Sequence, residues 1–405
     1  MNINKKTSKR TCTSCQMCAA VCGKNAISIE LDEDGFYRPI VDESVCVGCG
    51  LCTNVCYKFE DPIDVYGKDK LATTLLYGAS AKDRDVLSKT TSGGVADLLA
   101  HQLIEEGYKC VGVVYDSEID KPVDRIASTE NEIIGFRGSK YVQSYTLDAF
   151  KQIVNTCKTE KYAIFGTPCH IFALDKYLRL RNVREDNILI DLFCHGCPSM
   201  NIWKKYVKDI KQLTKQPKID NVNFRSKVRG WGNFCVALEA NGKTVHYSSN
   251  SHNEFFDLFF CDQVLNEACN DCKLRGTLEY TDIRLGDFWG KQYALNDNGV
   301  SAVSLVSDRA KKLFGKISEK IDYREEQYEN FLNWQSWGKE HHPNKGLRNV
   351  LLEQLRDDNV TLCESIKTIY RQQSFKCKLV RHAKQIVHAM PLSWGKCIRW
   401  LFYRL

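Results

Sequence analysis

What the chain lacks narrows it first. Its 405 residues contain no run of about 18 or more uncharged apolar residues, so a membrane-spanning helix is not expected. No leader of the export type opens it, which points to a reducing, cytoplasmic setting. No GxGxxG follows a candidate strand, so a Rossmann nicotinamide site is not indicated. Acidic residues are missing from Ser365 to Leu405, a stretch that holds nine of the 57 Lys and Arg. The other 364 residues carry 48 basic against 50 acidic side chains, so the net +7 resides in the tail. The near-neutral body gives no reason to expect a nucleic-acid surface.

Cysteine, by contrast, is abundant at 20 residues. Cys12-x2-Cys15-x2-Cys18-x3-Cys22 is repeated as Cys46-x2-Cys49-x2-Cys52-x3-Cys56. Zinc sites usually take two ligand pairs across a longer spacer, and disulfides need an oxidising compartment. The repeated spacing instead predicts two 4Fe-4S clusters, in which the fourth cysteine of each run ligates the other cube. Cluster 1 then takes Cys12, Cys15, Cys18 and Cys56; cluster 2 takes Cys46, Cys49, Cys52 and Cys22. The proline that often follows the fourth cysteine is Gly23 in one run and Tyr57 in the other, which removes no ligand.

The pattern predicts a small ferredoxin-like domain over 1–60, a polar linker over 61–70, an α/β body over 71–345 and a basic, irregular, partly amphipathic tail over 346–405. In the first unit Ala26–Ile29 and Tyr37–Val41 read as strands around an Asp34-Gly35 turn. In the body Leu71–Ala81, Cys110–Tyr115, Tyr162–Phe165 and Ile188–Phe193 read as strands. They alternate with helices at Gly93–Glu106, Leu147–Cys157, Ile171–Leu180 and Asn201–Lys211, and Thr129-x-x-Glu132 is a capping box. The pattern then turns antiparallel: Phe234–Ala240 and Thr244–Ser248 flank Asn241-Gly242, a hairpin dipeptide. Asp282–Phe288 and Ser301–Val306 are further strands, and Asp308–Lys316 is a helix.

Thr90-Thr91-Ser92-Gly93-Gly94 precedes a helix and offers hydroxyls and free N–H groups to a phosphate, although Ser and Gly are also ordinary helix caps. Cys169, Cys194 with Cys197, and Cys269 with Cys272 lie in three loop segments, the first two of which stand just beyond predicted strands. They read either as ligands of a third cluster or as buried thiols.

Several of these segments stand in the order seen in the iron–sulfur flavoprotein family named for the coenzyme F420 hydrogenase/dehydrogenase beta subunit, which this chain resembles over roughly residues 1–345. They are Thr91–Val95, Arg137–Gln143, Gly166–Cys169, Phe193–Gly196, Phe224-Arg225, Gly230-Trp231, Cys269-x2-Cys272-Lys273 and Asp282–Gly290. The resemblance implies an FAD site lined by Thr91, Ser92, Gly93, Gly94, Lys140, Gly166 and Thr167. It also implies a third 4Fe-4S cluster on Cys169, Cys194, Cys269 and Cys272, with Cys197 incidental. Family members act on the deazaflavin coenzyme or on chlorophyll-type pigments, or stand uncharacterised among bacterial polysaccharide genes. The fused N-terminal unit resembles the last group.

The expected activity is an oxidoreductase that relays electrons from ferredoxin or another redox protein through its clusters to FAD, reducing a small-molecule or sugar-linked substrate. The alternative is an electron-transfer subunit of a larger complex with no final substrate of its own. His195 and Asp287, in motif loops, are candidates for acid–base work, each with a purely structural alternative. Trp231 and Trp289 read as packing residues. Trp394, Ile398, Leu401, Phe402 and Leu405 share one helical face in a basic segment, which admits peripheral membrane contact or packing on the body. Assembly as a homo-oligomer is a further expectation.

Overall fold

The computed structural model describes residues 1–4 and 8–390, with 394 and 398. The predicted helix over 394–405 therefore lies essentially outside the described residues.

In the N-terminal unit, Ile27–Leu31 (β1) and Tyr37–Val41 (β2) pair antiparallel. Gly35 turns the hairpin at φ 79, and a side chain there would strike the Asn201 amide at 2.8 Å. The hairpin tip is docked on the body by backbone contacts. The Met200 N–H donates to the Gly35 carbonyl, the Ser199 hydroxyl to the Asp34 carbonyl, and the Asn201 amide to the Glu33 carbonyl.

The body is built on an eight-stranded mixed sheet. Its strands are Leu75–Ala81 (β3), Lys109–Asp116 (β4), Lys121–Ala127 (β5), Tyr162–Phe165 (β6) and Ile188–Leu192 (β7), with three later ones. A smaller antiparallel sheet comprises Asn221–Ser226 (β8), Cys235–Ala240 (β9) and Lys243–Ser249 (β10). Ile283–Asp287 (β11), Ser301–Leu305 (β12) and Ile321–Glu326 (β13) then return to the large sheet, whose order is β13-β3-β12-β11-β7-β6-β4-β5. β4, β6, β7 and β11 pair in parallel, and β3 runs the same way because β12 lies antiparallel between it and β11. Five strands thus end at one edge, where open α/β sheets place their ligands.

The buried, near-continuous apolar runs of β4, β6 and β7 are what a sheet covered on both faces requires. Helix Val95–Glu105 covers one face, with Val95, Leu99 and Leu103 buried beside β4 and β12. Helices Leu147–Thr156 and Pro168–Leu180 cover the other, packing Phe150, Ile153, Phe172 and Leu174 against the dicluster unit's Met17 and Val21.

Three expectations change. Leu71 belongs to a short helix, Lys68–Leu71, and the strand begins at Leu75. β11 pairs antiparallel with β12, as the pattern predicts, but it also pairs parallel with β7 and so belongs to the central sheet. The tail is not irregular: Lys345–Arg356, Leu362–Gln372 and Phe375–Ala389 are helices. Leu347, Leu351, Leu352, Leu355, Leu362, Ile366 and Ile369 are buried with Trp203 and Phe255 in the core around the smaller sheet. Its basic charge hid an apolar stripe at helical spacing, which is what burial reads.

Candidate iron–sulfur and redox site

The two cysteine runs wrap in the same way. Ser14 and Gln16 have φ 63 and 64; the equivalent positions of the second run are Gly48 and Gly50, at φ 68 and 82. Left-handed residues between the ligands tighten the loop so that backbone N–H groups turn inward. The Ser14 N–H faces Cys12 Sγ at 3.4 Å, and the Ala26 N–H faces Cys22 Sγ at 3.3 Å. Cys12, Cys15, Cys18 and Cys56 line one enclosed cavity, walled by Ile3, Ile29, Tyr37 and Val55.

Electrostatic reach groups the thiols. Burial pushes Cys18 up, and Cys15, Cys56, Cys12 and Cys52 add to it. Burial raises Cys52 too, with Cys49 and Cys22 contributing. The fourth cysteine of each run thus falls with the other run's ligands: Cys56 shares the cavity of Cys12, Cys15 and Cys18, and Cys22 is within electrostatic reach of Cys52. Among the described residues no three cysteine sulfurs lie within 4.8 Å of one another. A tetrahedral zinc would draw its sulfurs to about 3.8 Å, given a Zn–S bond of about 2.3 Å. No such trio of sulfurs forms among the described residues, so the thiols are not drawn in around a single tetrahedral ion.

A third group stands at the sheet edge. Cys169 opens helix Pro168–Leu180, which starts on Thr167 with Pro at its first position. Cys194 and Cys197 follow β7, and Cys269 and Cys272 arrive from the 260–276 loop. Burial raises Cys194 to about 11, with Cys272 adding, and Cys269 to about 12, with Cys194 and Cys272 adding. Cys197, expected to be incidental, lies within reach of Cys269, Cys194 and Cys169, so five thiols converge here. Cys169 also lies within electrostatic reach of Cys15 and packs against the core cluster that holds Cys15 and Cys18.

Along the same edge the Thr91–Gly94 loop sits between β3 and β12. Ala81 donates to the Gly93 carbonyl, and a side chain at Gly93 would collide with the Ala79 carbonyl and the Ser301 amide. Thr91 Oγ1 accepts from the Ser139 N–H at 2.8 Å, which carries Lys140 alongside. The Lys140 ammonium donates to the carbonyls of Gly135, Phe136 and Arg137, while burial pulls it down to about 7. Lys227 Nζ donates to the Leu87, Ser92 and Asn298 carbonyls, and burial lowers it to about 8. Gly166 and Thr167 stand apart from this loop: β11 and β7 intervene, and the Thr167 hydroxyl lies 3.2 Å from Cys169 Sγ.

The two acid–base candidates do not meet. Asp287 ends β11 with both oxygens engaged, by Arg225 at 2.9 Å and Trp231 Nε1 at 2.8 Å. His195 Nε2 lies 2.7 Å from Asp262, which also pairs with His341. Trp231 and Trp289 stack on each other with centroids 4.4 Å apart. The Asp282–Asp287 segment is accounted for by its partners: Asp282 accepts from Arg184 and Arg309, and Arg284 forks onto Asp191.

Sequence reasoning quoted Arg225 without a role and passed over Lys227, Asp262 and His341. Arg225 lies against the Phe234 ring at 3.9 Å and donates to Tyr141 and Asp287, but its buried Nε and Nη2 have no partner. Two unpaired guanidinium N–H groups, beside basic side chains and a Ser/Gly helix start, suit an anionic ligand. Only an Arg-x-Lys spacing in β8 and the loop after it could have flagged the pair.

Paired cysteine runs docked on a parallel-centred α/β body mark an iron–sulfur oxidoreductase class. The family comparisons agree. Residues 11–58 match the 4Fe-4S dicluster domain, 76–151 the coenzyme F420 hydrogenase/dehydrogenase beta subunit N-term, and 159–330 that subunit's C terminus. The chain belongs to the F420 hydrogenase/dehydrogenase beta subunit family, with an N-terminal dicluster domain.

An uncharacterized protein of Methanocaldococcus jannaschii is 26% identical over 58% of this chain and 71% of its own length. The coenzyme F420-dependent sulfite reductase of that organism is 28% identical over 43% of this chain but only 26% of its own length. The coenzyme F420 hydrogenase subunit beta of Methanosarcina barkeri is 30% identical over 24% of this chain and 34% of its own. A chain of the solved F420-reducing NiFe hydrogenase complex of Methanosarcina barkeri aligns at 18% identity and TM-score 0.46, covering 78% of this chain and 96% of that one.

Proposed function

We propose that this chain is an iron–sulfur flavoprotein that takes electrons from ferredoxin or a similar redox protein and delivers them to a small-molecule or sugar-linked acceptor. The observation that carries this reading is that Cys169 and Cys272 of the sheet-edge group pack against the same core cluster as Cys15 and Cys18 of the dicluster unit. When bound, the clusters supply one-electron transfer and FAD collects two electrons for delivery as a hydride.

The chain's own residues have separate tasks. Cys49 is exposed and its group forms the outer inlet, whereas Cys15 and Cys18 are buried and form the inner group. Cys169, Cys194, Cys269 and Cys272 hold the third cluster. Thr91–Gly94, Lys140, Gly166 and Thr167 contribute to the flavin site. Arg225 and Lys227 add donors for its anionic part, and Asp287 holds the Arg225 guanidinium in place.

Anaerobic purification, cluster reconstitution and extraction of bound flavin test the reading. Arg225→Ala is expected to weaken FAD binding at least tenfold with iron content unchanged. A chain that loads iron but takes no flavin would overturn it. The names of the matched hydrogenase beta subunits favour a second reading, an electron-transfer subunit. Single-turnover reoxidation by small molecules alone supports the enzyme; reoxidation only with a partner protein supports the subunit. The acid-free tail, with Phe375, Leu379 and Ile386 exposed on its last described helix, supports peripheral membrane contact. Co-sedimentation with anionic vesicles, lost on deleting 375–405, tests that.

A further inference from the structure

His195, Asp262 and His341 converge from the loop after β7, the turn after helix Glu254–Phe259 and the segment before helix Lys345–Arg356. Among the described residues they are the one set of three such side chains whose ligand atoms all lie within 4.8 Å of one another. His195 Nε2 is 2.7 Å from Asp262 Oδ1, and His341 Nδ1 is 3.2 Å from Asp262 Oδ2. Two imidazoles and one carboxylate are the donor set of a first-row divalent metal with further positions open.

The far side of each ring is also prepared. His195 Nδ1 lies 3.2 Å from the Ser336 hydroxyl, and His341 Nε2 lies 2.9 Å from the His195 carbonyl. Metal-bound histidines hold such acceptors on the nitrogen that does not ligate, which settles tautomer and ring angle. Asp262 sits at φ 60, a left-handed conformation of the kind that gathers at ligand clamps. His341 is 7% exposed, but His195 and Asp262 are 28% and 35% exposed, so solvent or a substrate reaches one side.

The competing arrangement is a plain hydrogen-bonded trio, with Arg275 Nη1 donating to His341 Nε2. Ligation requires both imidazoles to give up the N–H they direct at Asp262. His195 then carries its proton on Nδ1 toward the Ser336 hydroxyl, and His341 on Nε2 toward the His195 carbonyl. Arg275 leaves Nε2 and keeps its bonds to the His195 and Cys269 carbonyls.

We propose that His195, Asp262 and His341 bind one first-row divalent transition-metal ion, of the ferrous or zinc type, beside the five-thiol group. This goes beyond the electron-relay reading and does not rest on the flavin. The test uses the full chain, reconstituted with iron and sulfide without oxygen and then titrated with Co2+. One equivalent is expected beyond the clusters, with a cobalt-edge X-ray absorption shell of nitrogen and oxygen only, at about 2.0–2.2 Å. His341→Gln and Asp262→Asn are each expected to weaken Co2+ uptake at least about 100-fold while iron per chain stays at the wild-type value. No uptake by the wild type, a sulfur shell near about 2.3 Å, or unchanged uptake in both variants would each overturn the proposal. Cluster content, read separately as iron, decides the electron-relay reading.

Discussion

Gln16 shows how much one side chain can link. It occupies the left-handed position that the second cysteine run gives to Gly50, yet it is buried. Its Oε1 accepts from the N–H groups of Thr146 and Leu147, at the start of helix Leu147–Thr156, and its Nε2 donates to the Ser144 carbonyl. Glycine would ease the backbone but lose all three bonds. Gln16→Ala strands two helix-start donors and is expected to cost about 2–4 kcal/mol. A lower melting temperature with full iron content, and slower reduction of the body by ferredoxin, are the readouts.

Asp124 in β5 carries a second residue-scale prediction. Burial pushes its carboxyl up to about 7 despite a hydrogen bond from Ser144, and its Oδ1 has no partner. The native state therefore binds a proton that the unfolded chain has released above about pH 4. Stability from this group is complete below about pH 4 and is lost as pH rises through about 7. Asp124→Asn, which stays neutral, is expected to be more stable than the wild type at pH 8, by a few kcal/mol, with the difference shrinking toward pH 5. Urea unfolding at several pH values measures it; a pH-independent difference would contradict the assignment.

At the scale of elements, the helices Lys345–Arg356 and Leu362–Gln372 belong to the core rather than to a tail. Asn344 caps the first by accepting from the Leu347 N–H, and Thr361 with Glu364 forms a capping box on the second. Arg356 reaches back to Asp34 in the dicluster hairpin. Leu351→Ala, at a fully buried position, is expected to cost about 3 kcal/mol by leaving a cavity beside the smaller sheet. Chemical denaturation followed by tryptophan fluorescence should show it, since Trp203 shares that core.

At the scale of the molecule, the dicluster unit is clamped at several places, among them the 13–16 loop on the 143–147 segment, the β1–β2 hairpin on Ser199–Asn201, and Tyr57 and Glu60 on Lys273 and Lys176. Its own core is small, and Cys15, Cys18, Cys52 and their neighbours make up much of it. Removing iron by oxidation and chelation is expected to open residues 8–60 to proteolysis while the eight-stranded sheet stays protected. Peptide mapping of the first cuts checks this; early cleavage within β4 to β7 would contradict it.

Much of this was legible in the chain. The cysteine repeat, the strands at Tyr162–Phe165 and Tyr37–Val41, the Thr129 capping box and the Asn241-Gly242 hairpin all depend on near neighbours, and they appear where expected. β5, β8 and β13 went unread because Lys121–Ala127, Asn221–Ser226 and Ile321–Glu326 are rich in charged and polar residues, and β13 has only its ends buried.

The sequence by itself determined the ligand chemistry of the dicluster unit and the alternation of strands and helices, because both follow from spacings of a few residues. Only the tertiary structure decided that Cys169 packs on the cluster of Cys15, that Cys197 lies within reach of Cys169, Cys194 and Cys269, that Arg225 rests on Asp287, and that His195 belongs with Asp262 and His341. Those pairs are separated by 62 to 154 residues in most cases, and nothing local records which strand ends a sheet will bring together.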